Sequence, residues 1–183
     1  MSLKQLDITK LLSLCGKGNQ LAQLEVYNRY EKAMYNVAFR IVKDTAEAED
    51  VMQESFIAAF SKLKSFKGDA TFGAWLKRIV VNNSISQYKK SSRFVCYNDE
   101  LQKEEAVEME GVSEENYSYI KHTQLIEGME TLKASYRQAL SLHYIEGYDY
   151  EEICEILNIS YGNCRTLISR AKDSLRKKLA VAS

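Results

Sequence analysis

Six side chains near the C-terminal end, Asn163, Arg165, Thr166, Ser169, Arg170 and Lys172, are of the types that hydrogen-bond base edges and neutralise phosphates. They share one side of a helical pattern. Its other side, Cys164, Ile168, Ala171 and Leu175, steps by four, three and four, a single buried stripe. A second polar set, Lys77, Arg78, Asn82, Lys89 and Lys90, follows Phe72 and Trp75. Aromatic rings interleaved with cations at a loop–helix junction suit single-stranded nucleic acid, whose bases stack while its backbone meets Lys and Arg. The same residues also fit a core that holds Phe72 and Trp75 and a surface where the cations only solvate. A third group, Asp50, Gln53, Glu54, Ile57 and Ser61, falls on one side of another helical pattern. Its spacing alone describes a solvated acidic face, with Ile57 as the one hint of a partner.

None of these groups forms a catalytic set. The chain shows no Ser/His/Asp arrangement, phosphate-binding loop or metal-ligand cluster, so no enzyme activity, metal or cofactor is expected. The four cysteines, Cys15, Cys96, Cys154 and Cys164, form no CxxC, and His122 and His143 are not at ligand spacing with them. Cys154 and Cys164 fall on apolar stripes and read as small filler, and His143 reads as a packed or rim histidine. A disulfide between Cys154 and Cys164 would require those stripes to face each other within reach. This cysteine usage suits a reducing cytoplasm. No segment approaches the roughly 20 apolar residues of a membrane span. Leu11 to Cys15 faintly suggests a lipoprotein cleavage site, but the apolar run is short and Leu14 is large where a small residue is wanted, so a short helix is expected.

The elements that position these groups are helices. The 183 residues include no proline and eight glycines, and alternating strand-like runs are absent, so the fold class is all-α. Net charge is zero but unevenly spread. Residues 1–90 hold fourteen Lys and Arg against nine Asp and Glu; residues 91–124 hold three against eight. Between Glu146 and Glu155 the charge is acidic; from Arg165 to Lys178 it is basic with Asp173 opposing.

The spacing predicts helices over about Ile8–Cys15, Gln20–Val42, Ala46–Leu63 and from Phe72 past Lys90. Asn19, Asp44 or Thr45, and Thr71 are the expected caps. The second helix should bury Tyr27, Tyr30, Met34, Val37 and Ile41, an aromatic-rich face; the third should bury Ala48, Met52, Phe56, Ala59, Phe60 and Leu63. On the fourth, Phe72, Trp75, Leu76, Ile79 and Asn83 should share a side. Periodicity fails from about 93 to 119, where seven glutamates crowd together, which predicts a flexible acidic linker. Beyond it, Leu125, Met129 and Leu132 suggest one helix, and Tyr136, Leu140, His143 and Tyr144 another that ends at Gly147. Asp149 with Glu152 has capping-box spacing for a helix over Tyr150–Leu157; Asn158 can stop it, and Ser160 can cap the next. These two helices form a helix-turn-helix whose second member is the recognition helix. The chain therefore divides into residues 1–92, a linker 93–119, and 120–183.

Three stretches resemble the extracytoplasmic-function sigma factors, compact two-domain members of the bacterial sigma-70 family. Asn19 to Phe60 and Phe66 to Lys90 (FKGDATFGAWLKRIVVNNSISQYKK) are similar to the family's N-terminal conserved domain, and Leu132 to Leu179 to its C-terminal domain. The resemblance implies a non-enzymatic factor that binds core RNA polymerase, directs it to promoters, helps open the DNA, and answers to an anti-sigma factor, without membrane insertion. It implies that Asp50, Gln53, Glu54 and Ile57 dock on the β′ clamp helices, with the β flap as a further polymerase partner. Lys67, Phe72, Trp75, Lys77, Arg78, Asn82, Lys89 and Lys90 would meet the minus-ten element, with the loop at Lys67 pocketing a flipped base. Tyr161, Asn163, Arg165, Thr166, Ser169, Arg170 and Lys172 would meet the minus-thirty-five element in the major groove. The acidic linker would mimic nascent RNA in a basic channel. The chain departs from the family pattern at several positions. Lys133 stands where Pro is frequent, Val81 and Leu167 where Arg is frequent, Ser86 where Asp is usual, and Cys154 and Cys164 where small residues are usual. A conventional helix-turn-helix regulator with an N-terminal helical interaction domain is the alternative that the C-terminal half alone would allow.

Overall fold

The computed structural model describes residues 3–91 and 122–181, and among these residues there are helices and turns but no strand. The acidic stretch 93–119, with Cys96, lies outside the described residues. The chain divides into two compact units, Met1–Arg93 and Phe94–Ser183.

The first unit begins with a 3-10 turn, Leu3–Gln5, and α1, Ile8–Gly16. Asp7 caps α1 by accepting the Thr9 N–H at 2.9 Å, and hydrogen bonds from the Thr9 side chain and backbone hold its carboxyl below the usual carboxylate range. Asn19 caps α2, Gln20–Val42, accepting the Ala22 N–H at 3.0 Å. That helix closes on Lys43, which takes the left-handed conformation at φ +59°. Asp44 rather than Thr45 caps α3, Thr45–Ser61, accepting the Glu47 N–H at 2.9 Å. Thr71 caps α4, Phe72–Lys90, through the Ala74 N–H at 3.2 Å. Arg29 of α2 fastens the N-terminal turn by donating to the carbonyls of Leu3, Lys4 and Leu6 while its Nε meets Glu25 at 2.8 Å.

Helices α2, α3 and α4 all pack on one another. Their shared core is more aliphatic than the sequence pattern suggests. Val26, Ala38, Ile41, Leu76 and Val80 are almost fully enclosed, whereas Tyr27 and Tyr30 are half-buried. Helix α4 departs most from its expected stripe. It buries Phe72, Leu76, Val80, Val81, Ser84, Ile85 and Tyr88, while Trp75, Ile79 and Asn83 stay at the rim. A helix wedged against two neighbours buries a wide arc, and a one-stripe pattern places that arc's centre poorly. Helix α3 stops at Ser61; Leu63 lies in a following 3-10 turn and, like Phe60, is half-buried.

The second unit contains α5, His122–Glu130, and α6, Ala134–Leu140. Met129 and Leu132 are buried, but Leu125 is exposed. The expected continuation of α6 as a regular helix is not what forms. Residues Ser141–Ile145 wind as a π-helical turn, and the register shift turns Tyr144 and Ile145 outward. Gly147 then supplies the left-handed turn at φ +78°. Helix α7, Tyr150–Leu157, starts with the expected capping box: Asp149 Oδ1 accepts the Glu152 N–H at 2.8 Å, and Glu152 Oε2 accepts the Asp149 N–H at 3.0 Å. Asn158 ends it at φ +59°, and Ser160 accepts the Asn163 N–H at 3.3 Å to open α8, Tyr161–Val181. A β-carbon on Gly128 would lie 3.1 Å from both Leu175 and Leu179, so α5 approaches α8 closely there.

Candidate nucleic-acid and partner interfaces

Helix α3 has a sharply divided surface. Ala48, Met52, Ser55, Phe56 and Ala59 are buried, and Asp50, Gln53, Glu54 and Ile57 all face outward. Ile57 is 70 % exposed in the middle of that polar face. Leaving such a side chain in water forgoes roughly 1.5–3 kcal/mol that full burial would return.

At the start of α4 the rings of Phe66, Phe72 and Trp75 form a triad with centroid separations of 5.3–5.8 Å. Tyr30 of α2 adds an edge contact to Phe72 at 5.5 Å. Phe72 is 3 % exposed. It therefore belongs to the core, and its expected place among the nucleic-acid-facing residues is corrected. The first helical position directs its ring inward onto Tyr30, and Gly73 allows that approach, since a β-carbon there would meet Tyr30 at 3.0 Å. Trp75 is the half-buried ring at the surface. Phe66, which spacing did not single out for the site, completes the triad from the loop.

Trp75, Arg78, Asn82, Ser86 and Lys89 step along α4 by three or four and run on one side. Asn82, Ser86, Lys67 and Lys90 are exposed, while Lys77, Arg78 and Lys89 are half-buried. Ser86 donates to the Asn82 carbonyl at 2.9 Å. Val81 is fully buried, so the position where the family often has Arg points into the core of this chain.

On α8, Gly162, Arg165, Thr166, Ser169 and Arg170 line an open concave surface. Arg165, Thr166 and Ser169 are exposed, and Asn163, Arg170 and Lys172 are half-buried. Thr166 donates to the Gly162 carbonyl at 2.9 Å, which leaves its oxygen lone pairs as acceptors. Tyr161 is 48 % exposed at the first position of the helix and meets Tyr150 edge-on at 6.0 Å. Leu167 is fully buried, which explains its departure from the family's Arg. His143 is a rim histidine as expected: its Nδ1 lies 2.9 Å from the Tyr148 carbonyl, and its ring stacks on Tyr150 at 5.0 Å.

Cys15 and Cys164 are buried free thiols and Cys154 is a half-buried one. Burial pushes the Cys15 thiol up. Among the described residues no three His, Cys, Asp or Glu side chains come together as a metal site.

These surfaces define a helical protein with an outward-facing acidic–apolar face, an aromatic–basic helix and a helix-turn-helix. The family model for Sigma-70 region 2 matches residues 26–94, and that for Sigma-70, region 4 matches residues 122–175. The ECF RNA polymerase sigma factor SigW of Bacillus subtilis is 31 % identical over 183 residues, covering 96 % of this chain and 98 % of that protein. The ECF RNA polymerase sigma-E factor of Escherichia coli K12 is 30 % identical over 188 residues, covering 96 % of each. The chain belongs to the sigma-70 family, among its ECF RNA polymerase sigma factors. Two solved structures share the fold. The sigma factor RpoE of Bartonella quintana, in complex with the anti-sigma factor NepR, has a TM-score of 0.56 at 24 % identity over 87 % of this chain and 97 % of that one. CnrH, in complex with the cytosolic domain of CnrY, has a TM-score of 0.55 at 24 % identity over 94 % and 97 %.

Proposed function

We propose that this sigma factor binds core RNA polymerase through the α3 face, with Ile57 as the apolar centre and Asp50, Gln53 and Glu54 around it, against the β′ clamp helices. The unit formed by residues 1–92 engages and melts the minus-ten element through Lys67, Trp75, Lys77, Arg78, Asn82, Lys89 and Lys90, with Phe72 supporting Trp75 from beneath. The unit from 120 to 183 reads the minus-thirty-five element with Tyr161 and the exposed face of α8, and meets the β flap. One protein of the same fold, RpoE of Bartonella quintana, is bound by the anti-sigma factor NepR, and this chain is restrained in the same way, in the cytoplasm. No helix among the described residues is long and apolar enough to cross a membrane.

The observation that carries this proposal is the exposure of Ile57 within its acidic surround. A helix-turn-helix regulator could use α7 and α8 as they stand, but it has no need of that face. The test is promoter-specific transcription with purified core polymerase. Asp50→Arg should abolish core binding while leaving the helical content unchanged. A wild-type chain that fails to bind core would overturn the assignment.

A further inference from the structure

Between α3 and α4 lies a part-buried polar contact that neither the docking face nor the promoter-facing stripe includes. Asn83 Nδ2 donates to Ser55 Oγ at 2.9 Å, and Ser55 Oγ donates to the Val51 carbonyl at 2.6 Å. Ser55 is fully enclosed and Asn83 is half-buried. The hydroxyl has one proton, and the Val51 carbonyl takes it. The oxygen can then only accept, which fixes the Asn83 amide with its NH₂ toward α3. Apolar side chains could fill such a place between packed helices with no loss of burial. A directed hydrogen bond adds orientation, because it is satisfied over a narrow range of helix rotation whereas dispersion contacts tolerate a broad one.

The neighbours on each side give that orientation its meaning. Asn82, next to Asn83, is exposed on the Trp75–Lys89 stripe. Ser55 stands behind Asp50, Gln53, Glu54 and Ile57 on the opposite side of α3. The contact therefore links the inner side of the docking helix to the root of the nucleic-acid stripe. We propose that Asn83 and Ser55 are positioning residues that set the rotation of α4 on α3, so that a chain docked through α3 presents Asn82 and its stripe to the separated promoter strand. This rests on the proposed roles of α3 and α4.

The test uses the full chain with core polymerase and a minus-ten promoter. Ser55→Ala removes the acceptor and leaves the Asn83 amide unmatched, while Ser55→Thr keeps an oxygen there. With Ser55→Ala, core affinity should stay within about twofold of wild type while promoter opening, read by permanganate reactivity of unpaired thymines, falls roughly tenfold. Ser55→Thr should recover most of the loss. Because a β-branch could crowd that enclosed site, Asn83→Leu serves as the second probe: it keeps bulk, and should lose opening without losing core binding. Opening equal to wild type in both Ser55→Ala and Asn83→Leu would overturn the inference. So would parallel loss of core binding and opening, which would mark the pair as merely structural. If the wild-type chain itself fails to bind core, the proposed docking role has failed instead.

Discussion

Cys164 of α8 is a fully buried thiol that the half-buried Cys154 of α7 helps to keep protonated. Burial, then Cys154 and then Glu151 push the Cys164 thiol up to about 12 from its ordinary 9.0. The folded state thus holds a proton that the unfolded chain releases earlier. Stability from this group is fully present below the unfolded value and is lost as pH rises from 9 towards 12. The second unit should lose on the order of 1 kcal/mol per pH unit across that window. Urea unfolding at stepped pH checks it: Cys164→Ala should show a flatter dependence, and equal slopes would refute the assignment.

The capping box at Asp149 makes a prediction of a different kind. Its side chain satisfies one N–H of α7, and Glu152 returns the contact. Asp149→Ala should cost about 1 kcal/mol in stability of the second unit. Asp149→Asn should cost less, because an amide oxygen can still accept. Thermal melting of the two variants side by side decides the point.

Much of this architecture could be read from residue order because caps and breakers act locally. Asn19, Thr71, Asp149 and Asn158 all perform the roles their types suggest, and helix bounds such as Gln20–Val42 and Tyr150–Leu157 follow from them. Three features were not legible. The arc buried on α4 depends on both α2 and α3, so Val80 and Ser84 lie inside while Ile79 and Asn83 stay at the rim. The π-helical turn at Ser141–Ile145 leaves no periodic signature in five residues. Phe72 satisfies a core pattern and a nucleic-acid pattern equally well, and its near-complete burial against α2 decides between them. The polar face of α8 was easier, since its side chains stand opposite a clear apolar stripe.

The aromatic triad pairs an enclosed ring, Phe72, with a half-buried one, Trp75. Phe72→Ala removes an enclosed ring and should destabilise the first unit by about 3–5 kcal/mol. Trp75→Ala, at a half-buried site, should cost less in folding and more in promoter opening. Measuring melting and open-complex formation for both variants tests this division; equal ratios of the two losses would contradict it.

Leu167 offers a test of the family pattern against the packing. It is fully buried on α8 beside Ile168 and Cys164. Leu167→Arg, which restores a residue frequent in the family, should not add a DNA contact. Burying an unpaired guanidinium in that site should instead destabilise the second unit by at least about 3 kcal/mol. Circular dichroism melting of the variant would show the loss, and an unchanged melt with tighter promoter binding would refute the placement.

Arg165 is exposed on the concave surface of α8, one helical turn beyond Tyr161 and beside Thr166 and Ser169. An arginine there can either fork onto a guanine edge or hold a phosphate, and the two roles differ in what they discriminate. Arg165→Ala should weaken binding to the cognate promoter by roughly 1–3 kcal/mol if it reads a base pair, and should relax preference at that one position. A phosphate contact would instead weaken binding to every sequence alike and lower the salt dependence by about one counterion. Binding of the holoenzyme to a cognate promoter and to single-position variants of the minus-thirty-five element, at two salt concentrations, separates them. The outcome expected for Arg165 is the position-specific loss, because Thr166 and Ser169 give the same surface hydroxyl groups suited to neighbouring base edges. Lys172, half-buried nearly two turns further along, should show the uniform loss.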